Sequence, residues 1–211
     1  MLKTRESILS DTALDKIMLL FWEKGYFDTS LQDIANASGA SRAALSRHFG
    51  GKQGLFYAIL HRFRNKVVVD ATELLSDPMS GMDGIKQFFM QFIMCSRELA
   101  GSDGCFMIAV AANLPVHEPA AARVIEEFIH YLRALFYKNL RWQQSEKLLD
   151  EELNTEMTAD FLVGNVVGLM TLLRAASEPR MLQNQVKSII QYLAGLSVRK
   201  HAGHGTLHLI S

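Results

Sequence analysis

Apolar residues recur at helical spacing along almost the whole chain, and nothing in it alternates convincingly at the spacing of a strand. That restricts the fold to packed helices. Leu14, Ile17, Met18 and Phe21 follow the i, i+3, i+4, i+7 template of an amphipathic helix, and Val186, Ile189, Ile190, Leu193 and Leu196 follow it again near the end. Only four prolines interrupt the pattern: Pro78, Pro115, Pro119 and Pro179. The spacing predicts helices over 4–24, 31–37, 42–48, 52–75, 82–100, 103–112, 118–141, 155–177 and 180–197. No internal repeat is present, and the Gly- and His-rich tail from Val198 is expected to fray. The predicted class is all-α.

The composition fits an ordinary globular chain of 211 residues, with 49% hydrophobic and 21% charged residues, and excludes disorder or a collagen-like repeat. No apolar run reaches the ~18 residues of a membrane span. The opening Met1-Leu2-Lys3-Thr4-Arg5-Glu6 lacks the apolar core of a signal peptide. With Cys95 and Cys105 as its only cysteines, the chain suits a reducing compartment, and a cytoplasmic protein without a membrane partner is expected.

Lys+Arg and Asp+Glu balance at 22 each, but the charge is unevenly placed. Residues 36–69 contain Arg42, Arg47, Lys52, Arg62, Arg64 and Lys66 and no acid. A one-signed stretch of this kind suits a polyanion, or else simply a solvated face.

The segment from Ser30 to Phe49 is the most informative. Ser30 and Asp33 form a capping box that starts a helix. Gly39 supplies the positive φ that ends it, and Ser41 caps a second helix. Two short helices around a glycine-containing turn make a helix-turn-helix. Ile34 and Leu45 are placed to anchor the pair, and Ala35 is small where the helices cross. The second helix presents Arg42, Ala43, Ser46 and Arg47, with His48 behind them. Small residues admit a close backbone, and arginine can fork onto guanine in a major groove.

Thr4-Arg5-Glu6-Ser7-Ile8-Leu9, then Phe21-Trp22-Glu23-Lys24-Gly25-Tyr26-Phe27-Asp28-Thr29-Ser30, the two short helices, and His48-Phe49-Gly50-Gly51-Lys52-Gln53-Gly54-Leu55 together resemble the N-terminal domain of TetR/AcrR-type transcriptional repressors. The resemblance covers roughly residues 4–60. It implies a DNA-binding head over 1–51, a ligand-binding and dimerisation body over 52–197, and a flexible tail over 198–211. It also implies that Thr29 and Ser30 touch phosphate, that Arg42, Ala43, Ser46, Arg47 and His48 face the major groove, and that Lys52 grips a phosphate, while the Ser41 end of the second helix is expected to meet phosphate with its backbone N–H groups. Ser46 stands where the family usually has Tyr, and Gly51 replaces the usual capping Ser.

In the larger C-terminal part, Phe161 to Leu173 carries no charge and is apolar on every side, so this helix is expected to be buried all round. Gly164 and Gly168 would admit a second helix closely. Phe161, Gly164, Val167, Gly168, Ile189 and Leu193 are therefore expected in a homodimer interface, with a monomer core as the alternative. Phe88, Phe92, Phe106, Phe128 and Tyr131 could line an apolar ligand cavity or form plain core. The cavity, and an inducer that moves the heads apart, are implied by the resemblance. Cys105 falls in the first turn of a predicted helix, where a thiolate is favoured, opposed by Asp103. The stretch around Gly104-Cys105 and Ala111-Ala112-Asn113 is similar to the electrophile-responsive branch of the family, although a buried inert cysteine fits as well.

The two cysteines lack the spacing of a zinc site, and no phosphate-binding or nucleophile-elbow motif occurs. His117, Glu118 and His130 have no partner that would make a catalytic site. No metal, cofactor or enzymatic activity is expected. The reading is a homodimeric repressor that binds a palindromic double-stranded operator and responds to a small inducer. A helical enzyme and a protein-interaction module are the rival readings.

Overall fold

The computed structural model describes residues 8–98, 106–113, 119–175 and 178–197. Cys105 and residues 1–7 and 198–211 therefore lie outside the described residues. The described chain is a succession of helices, and its β-type pairing is one isolated bridge between Leu149 and Ser197.

The first three helices are α1 (Asp11–Lys24), α2 (Leu31–Ser38) and α3 (Arg42–Phe49). The first begins at residue 11, later than its periodicity suggests. Ser10 is extended at φ −69°, ψ 159°, and its hydroxyl accepts from the Ala13 N–H at 3.2 Å, so the helix is capped there. Ile17, Ile34, Leu45 and Leu55 are fully buried where the three helices meet α4 (Lys52–Phe63). The two anchors expected in the helix-turn-helix, Ile34 and Leu45, are therefore in the core of the head.

The single helix expected over 52–75 is divided. After α4 the backbone widens into a π turn over Arg64–Val68, resumes as α5 (Val69–Ala71), breaks at Thr72 and continues as α6 (Glu73–Ser76). Thr72 stabilises the break from inside. Its hydroxyl, fully enclosed, donates to the Val68 carbonyl at 2.8 Å and lies 3.2 Å from the Tyr131 hydroxyl.

A 3-10 turn (Pro78–Ser80) leads into the body: α7 (Gly81–Glu98), α8 (Phe106–Asn113), α9 (Pro119–Ser145), α10 (Thr155–Arg174) and α11 (Pro179–Gly195). The long α9 packs against α7, α8, α10 and α4, and α11 lies along α7. Buried Asn139 ties α9 to the turn, donating to the Leu75 and Leu135 carbonyls at 2.9 and 3.0 Å and accepting from Ser80 at 3.0 Å. One continuous apolar core runs from α1 to α11. Because α4 contacts α1 and α3 on one side and α9 on the other, it belongs to head and body at once.

Two expectations bear on α10. By length and composition alone the helix could cross a membrane, at a mean hydropathy of 1.3, although Glu156, Asp160 and Arg174 interrupt its apolar run. Within the protomer it is not buried all round, which departs from the monomer-core alternative and leaves the homodimer expectation open. Leu162, Val163, Val166 and Leu169 face the core, Phe161 and Gly164 face outward, and Val167 and Gly168 are half-buried. Arg133 of α9 pairs with Glu156 and Asp160 at the start of the helix.

Candidate nucleic-acid interface

The helix-turn-helix is built almost entirely by local hydrogen bonds. Ser30 accepts from the Asp33 N–H at 3.1 Å while Asp33 accepts from the Ser30 N–H at 2.8 Å, a complete capping box. Lys24 adds an ion pair to the same Asp33 oxygen at 2.9 Å. The Ser30 backbone N–H, then Lys24, hold the Asp33 carboxyl down at about 2, well below its ordinary value of 3.8. Gly39 ends α2 in the left-handed conformation, φ 72°, and its N–H donates to the Ala35 carbonyl. Ser41 then caps α3 by accepting from the Ala44 N–H at 3.1 Å.

α3 leaves this turn with one face to the core and one to solvent. Leu45 and Phe49 are buried; Arg42, Ala43, Ser46 and Arg47 are exposed. Neither arginine has an ion pair or side-chain hydrogen bond among the described residues, so both guanidiniums are available to an external anion. His48 is half-buried, its ring 5.8 Å from that of Phe49, and stands off to one side of the exposed face.

The other bases of the acid-free stretch are already engaged. Arg62 bonds Asp15 at 2.9 Å and Asp11 at 3.0 Å, Arg64 pairs with Glu127 of α9, and Lys66 lies 3.8 Å from Asp15. Absence of acids nearby in sequence did not mean absence in space. Lys52, expected at a phosphate, instead donates to the Tyr26 carbonyl at 2.8 Å and lies over the Tyr26 ring at 4.4 Å. It locks α4 to the α1–α2 turn. Thr29, also expected at a phosphate, has a fully buried side chain whose hydroxyl donates to the Gly25 carbonyl at 2.6 Å. Only its backbone could face an anion. The Ser30 hydroxyl is likewise committed to its cap, accepting from the Asp33 N–H and donating to the Asp33 carboxylate, whereas the Ser41 hydroxyl only accepts in its cap and keeps its O–H to donate. What the two helix starts offer a phosphate is that hydroxyl and the first-turn N–H groups the caps leave over.

In the body, the residues expected to line a ligand cavity take different places. Phe88, Phe92 and Phe128 are buried as core, with the Phe88 ring 5.7 Å from Phe92 and 5.6 Å from Phe136. Tyr131 is half-buried and directs its hydroxyl to Thr72. Phe106 points the other way, into the head, where it meets Phe63, Trp22 and Phe56 at 5.5–6.2 Å. It borders a cleft of about 320 Å³ between α1, the α1–α2 turn and α8. The sequence reading missed this cleft, although four aromatics within Phe21–Phe27 signal it.

The expected dimer residues divide in the same way. Phe161 is 45% exposed and its ring rests 4.8 Å from that of Tyr192 on α11. A Cβ on Gly164 would meet nothing, and one on Gly168 would touch only Gln185. Ile189 and Leu193, by contrast, are buried within the protomer. With α11 lying on α7, its apolar stripe of Leu182, Val186, Ile189 and Leu193 is enclosed by its own chain. Met181 and Tyr192 are left on the outer side.

Residues 13–59, the span of this head, match the family described as bacterial regulatory proteins, tetR family. The chain is 36% identical over 99 residues to the HTH-type transcriptional repressor ComR of Escherichia coli, an alignment covering 46% of this chain and 47% of ComR, so it spans about half the length of that relative. It is 27% identical over 179 residues to the uncharacterized HTH-type transcriptional regulator YezE of Bacillus subtilis, covering 83% of this chain and 92% of YezE. Among solved structures, a cysteine mutant of the TetR family transcriptional regulator CifR, complexed with 26-base-pair double-strand operator DNA, has the same fold. Its TM-score is 0.73 at 21% identity, over 86% of this chain and 95% of that one. The family match lies on the helices that form the exposed arginine face, so over residues 13–59 this chain is similar to the TetR family of bacterial regulatory proteins, and the likeness to YezE covers 83% of the chain.

Proposed function

We propose that this protein is a transcriptional repressor that binds a palindromic double-stranded operator as a homodimer in the cytoplasm. The observation that carries the reading is the outer face of α3. Arg42 and Arg47 flank two small side chains there, Ala43 and Ser46, and both arginines are free of internal partners among the described residues. A helix of this make-up enters a major groove closely enough for a guanidinium to fork onto a guanine. First-turn N–H groups of α2 and α3 would meet the flanking phosphates.

Dimerisation would use the outer face of α10. Met157, Phe161, Gly164 and Gly168 follow one another at spacings of four, three and four, which aligns them on one side of the helix. Tyr192 and Met181 of α11 extend the patch. Two heads held about 34 Å apart would read two half-sites. A small inducer, apolar or electrophilic, would act by favouring the arrangement in which the heads no longer match that spacing.

The test is fluorescence anisotropy of the purified chain on DNA tiled across its own upstream region, at several salt concentrations. Tight binding to one tile at two protomers per site is the expected result. Weak binding that is equal on all tiles and vanishes with salt would leave only a charged face. Absence of any salt-dependent binding would favour a protein-interaction module.

A further inference from the structure

We propose that Glu127 and Tyr131 of α9 are positioning residues for operator reading: through Arg64 and Thr72 they set the angle at which α4 carries the head. The proposal rests on the repressor reading of that head. Glu127, Tyr131, Asn139 and Gln143 stand at multiples of four along α9, so they share one i, i+4 ridge. The segment that leaves the head meets the ridge at each of them. Arg64 pairs with Glu127, Thr72 meets Tyr131, and Asn139 meets Ser80 and the Leu75 carbonyl. A Cβ on Gly81 would strike the Gln143 side chain.

The grip is graded along this ridge. Far from the head, Asn139 is fully buried and bonded on both its donor and acceptor sides. In the middle, the Thr72 hydroxyl gives its one proton to the Val68 carbonyl, so the bond at 3.2 Å is donated by Tyr131. Nearest the head, the Arg64–Glu127 pair is partly open to water, and such a pair adds little to stability.

Its position is what gives it leverage. Arg62 still bonds Asp11 and Asp15 of α1, whereas Arg64, two residues on, bonds α9, and Lys66 retains a long contact to Asp15 at 3.8 Å. The joint between head and body therefore lies at the π turn Arg64–Val68, a rare element that often marks functional positions. The 12 residues of α4 span about 18 Å, so a tilt of about 10° at this joint moves the Lys52 end by about 3 Å. That is close to the ~3.4 Å separating successive base pairs. A loosened joint would thus blur the spacing between two half-sites and leave the contacts within each half-site intact.

The experiment uses the full chain and the duplex tile it binds, remade with one base pair inserted or removed between the half-sites. On these spacings the native chain should lose about tenfold or more in affinity by anisotropy. Glu127→Gln and Tyr131→Phe should each lose about fivefold on the native spacing and narrow that preference to about threefold or less, with little change in thermal midpoint. Arg64→Glu combined with Glu127→Arg rebuilds the ion pair with its sign reversed and should restore the native preference. A preference that stays native in either single variant, whatever its overall affinity, overturns the role of that residue. A charge swap that fails to recover what Glu127→Gln loses overturns the pairing with Arg64 as the cause. Hydrogen exchange of the amides over 64–72 in the free chain should be faster in both single variants, by about threefold; unchanged exchange overturns the joint. Should no tile be bound, the repressor reading fails and the operator role with it, while exchange still decides whether the two side chains hold the segment.

Discussion

Arg47 and Lys52 lie five residues apart with the same charge, yet the fold gives them opposite work. Arg47 leaves α3 toward solvent, while Lys52 turns inward to the carbonyls of the α1–α2 turn. Arg47→Ala should therefore weaken operator binding by about 1–3 kcal/mol and relax specificity at one base pair, measured by anisotropy on single-base operator variants. Loss that is equal on every DNA would demote Arg47 to a phosphate contact. Asp33 makes a separate prediction. Its folded pKa, about 2, lies below the ordinary 3.8, so the stability it contributes is present above pH 4 and is lost as pH falls toward 2. The thermal midpoint of the native chain should exceed that of Asp33→Asn at pH 6, and the gap should close by pH 2. A gap independent of pH would mean that the carboxylate charge adds nothing to the cap.

At the scale of elements, the head depends on two tight joints. The α2–α3 joint needs Gly39 for its positive φ. The α3–α4 joint needs Gly54 for closeness, because a Cβ there would strike the Phe49 carbonyl. Since that neighbour is backbone and cannot swing aside, Gly54→Ala should cost at least about 2 kcal/mol in chemical denaturation. A neutral result would show that α4 can move away from α3 freely. Both joints were legible in the sequence to different degrees. Gly39 announces itself between two Ser-capped helices, whereas Gly54 sits inside an apolar helical run where only the approach of another element explains it.

For the whole molecule, the question is which apolar surfaces are covered by the chain itself. The α10 stripe around Phe161 and Gly164 is uncovered, while α11 buries its own stripe against α7. Phe161→Glu should thus give monomers in light scattering with little loss of helix by circular dichroism. Operator affinity should fall by more than tenfold, because one head reads only a half-site. A variant that stays dimeric would place the interface elsewhere. Ile189 and Leu193 belong to the protomer core, and their truncation should lower stability before it touches assembly.

What the sequence determined by itself was whatever local spacing encodes: the helical class, the caps Ser30 and Ser41, the turn at Gly39, the anchors Ile34 and Leu45, and the exposed face of α3. Each depends on residues within about one helical turn, so a single chain segment is enough to show it. What only the tertiary structure decided were relations between distant segments. Arg62 meets acids some fifty residues earlier, Lys52 meets a turn 26 residues back, and Phe106 joins the head rather than a cavity in the body. Side-chain chemistry alone made these bases candidates for DNA and these phenylalanines candidates for a pocket. The partner that packing brings within reach is set by how the helices cross, and no spacing along the chain records that crossing.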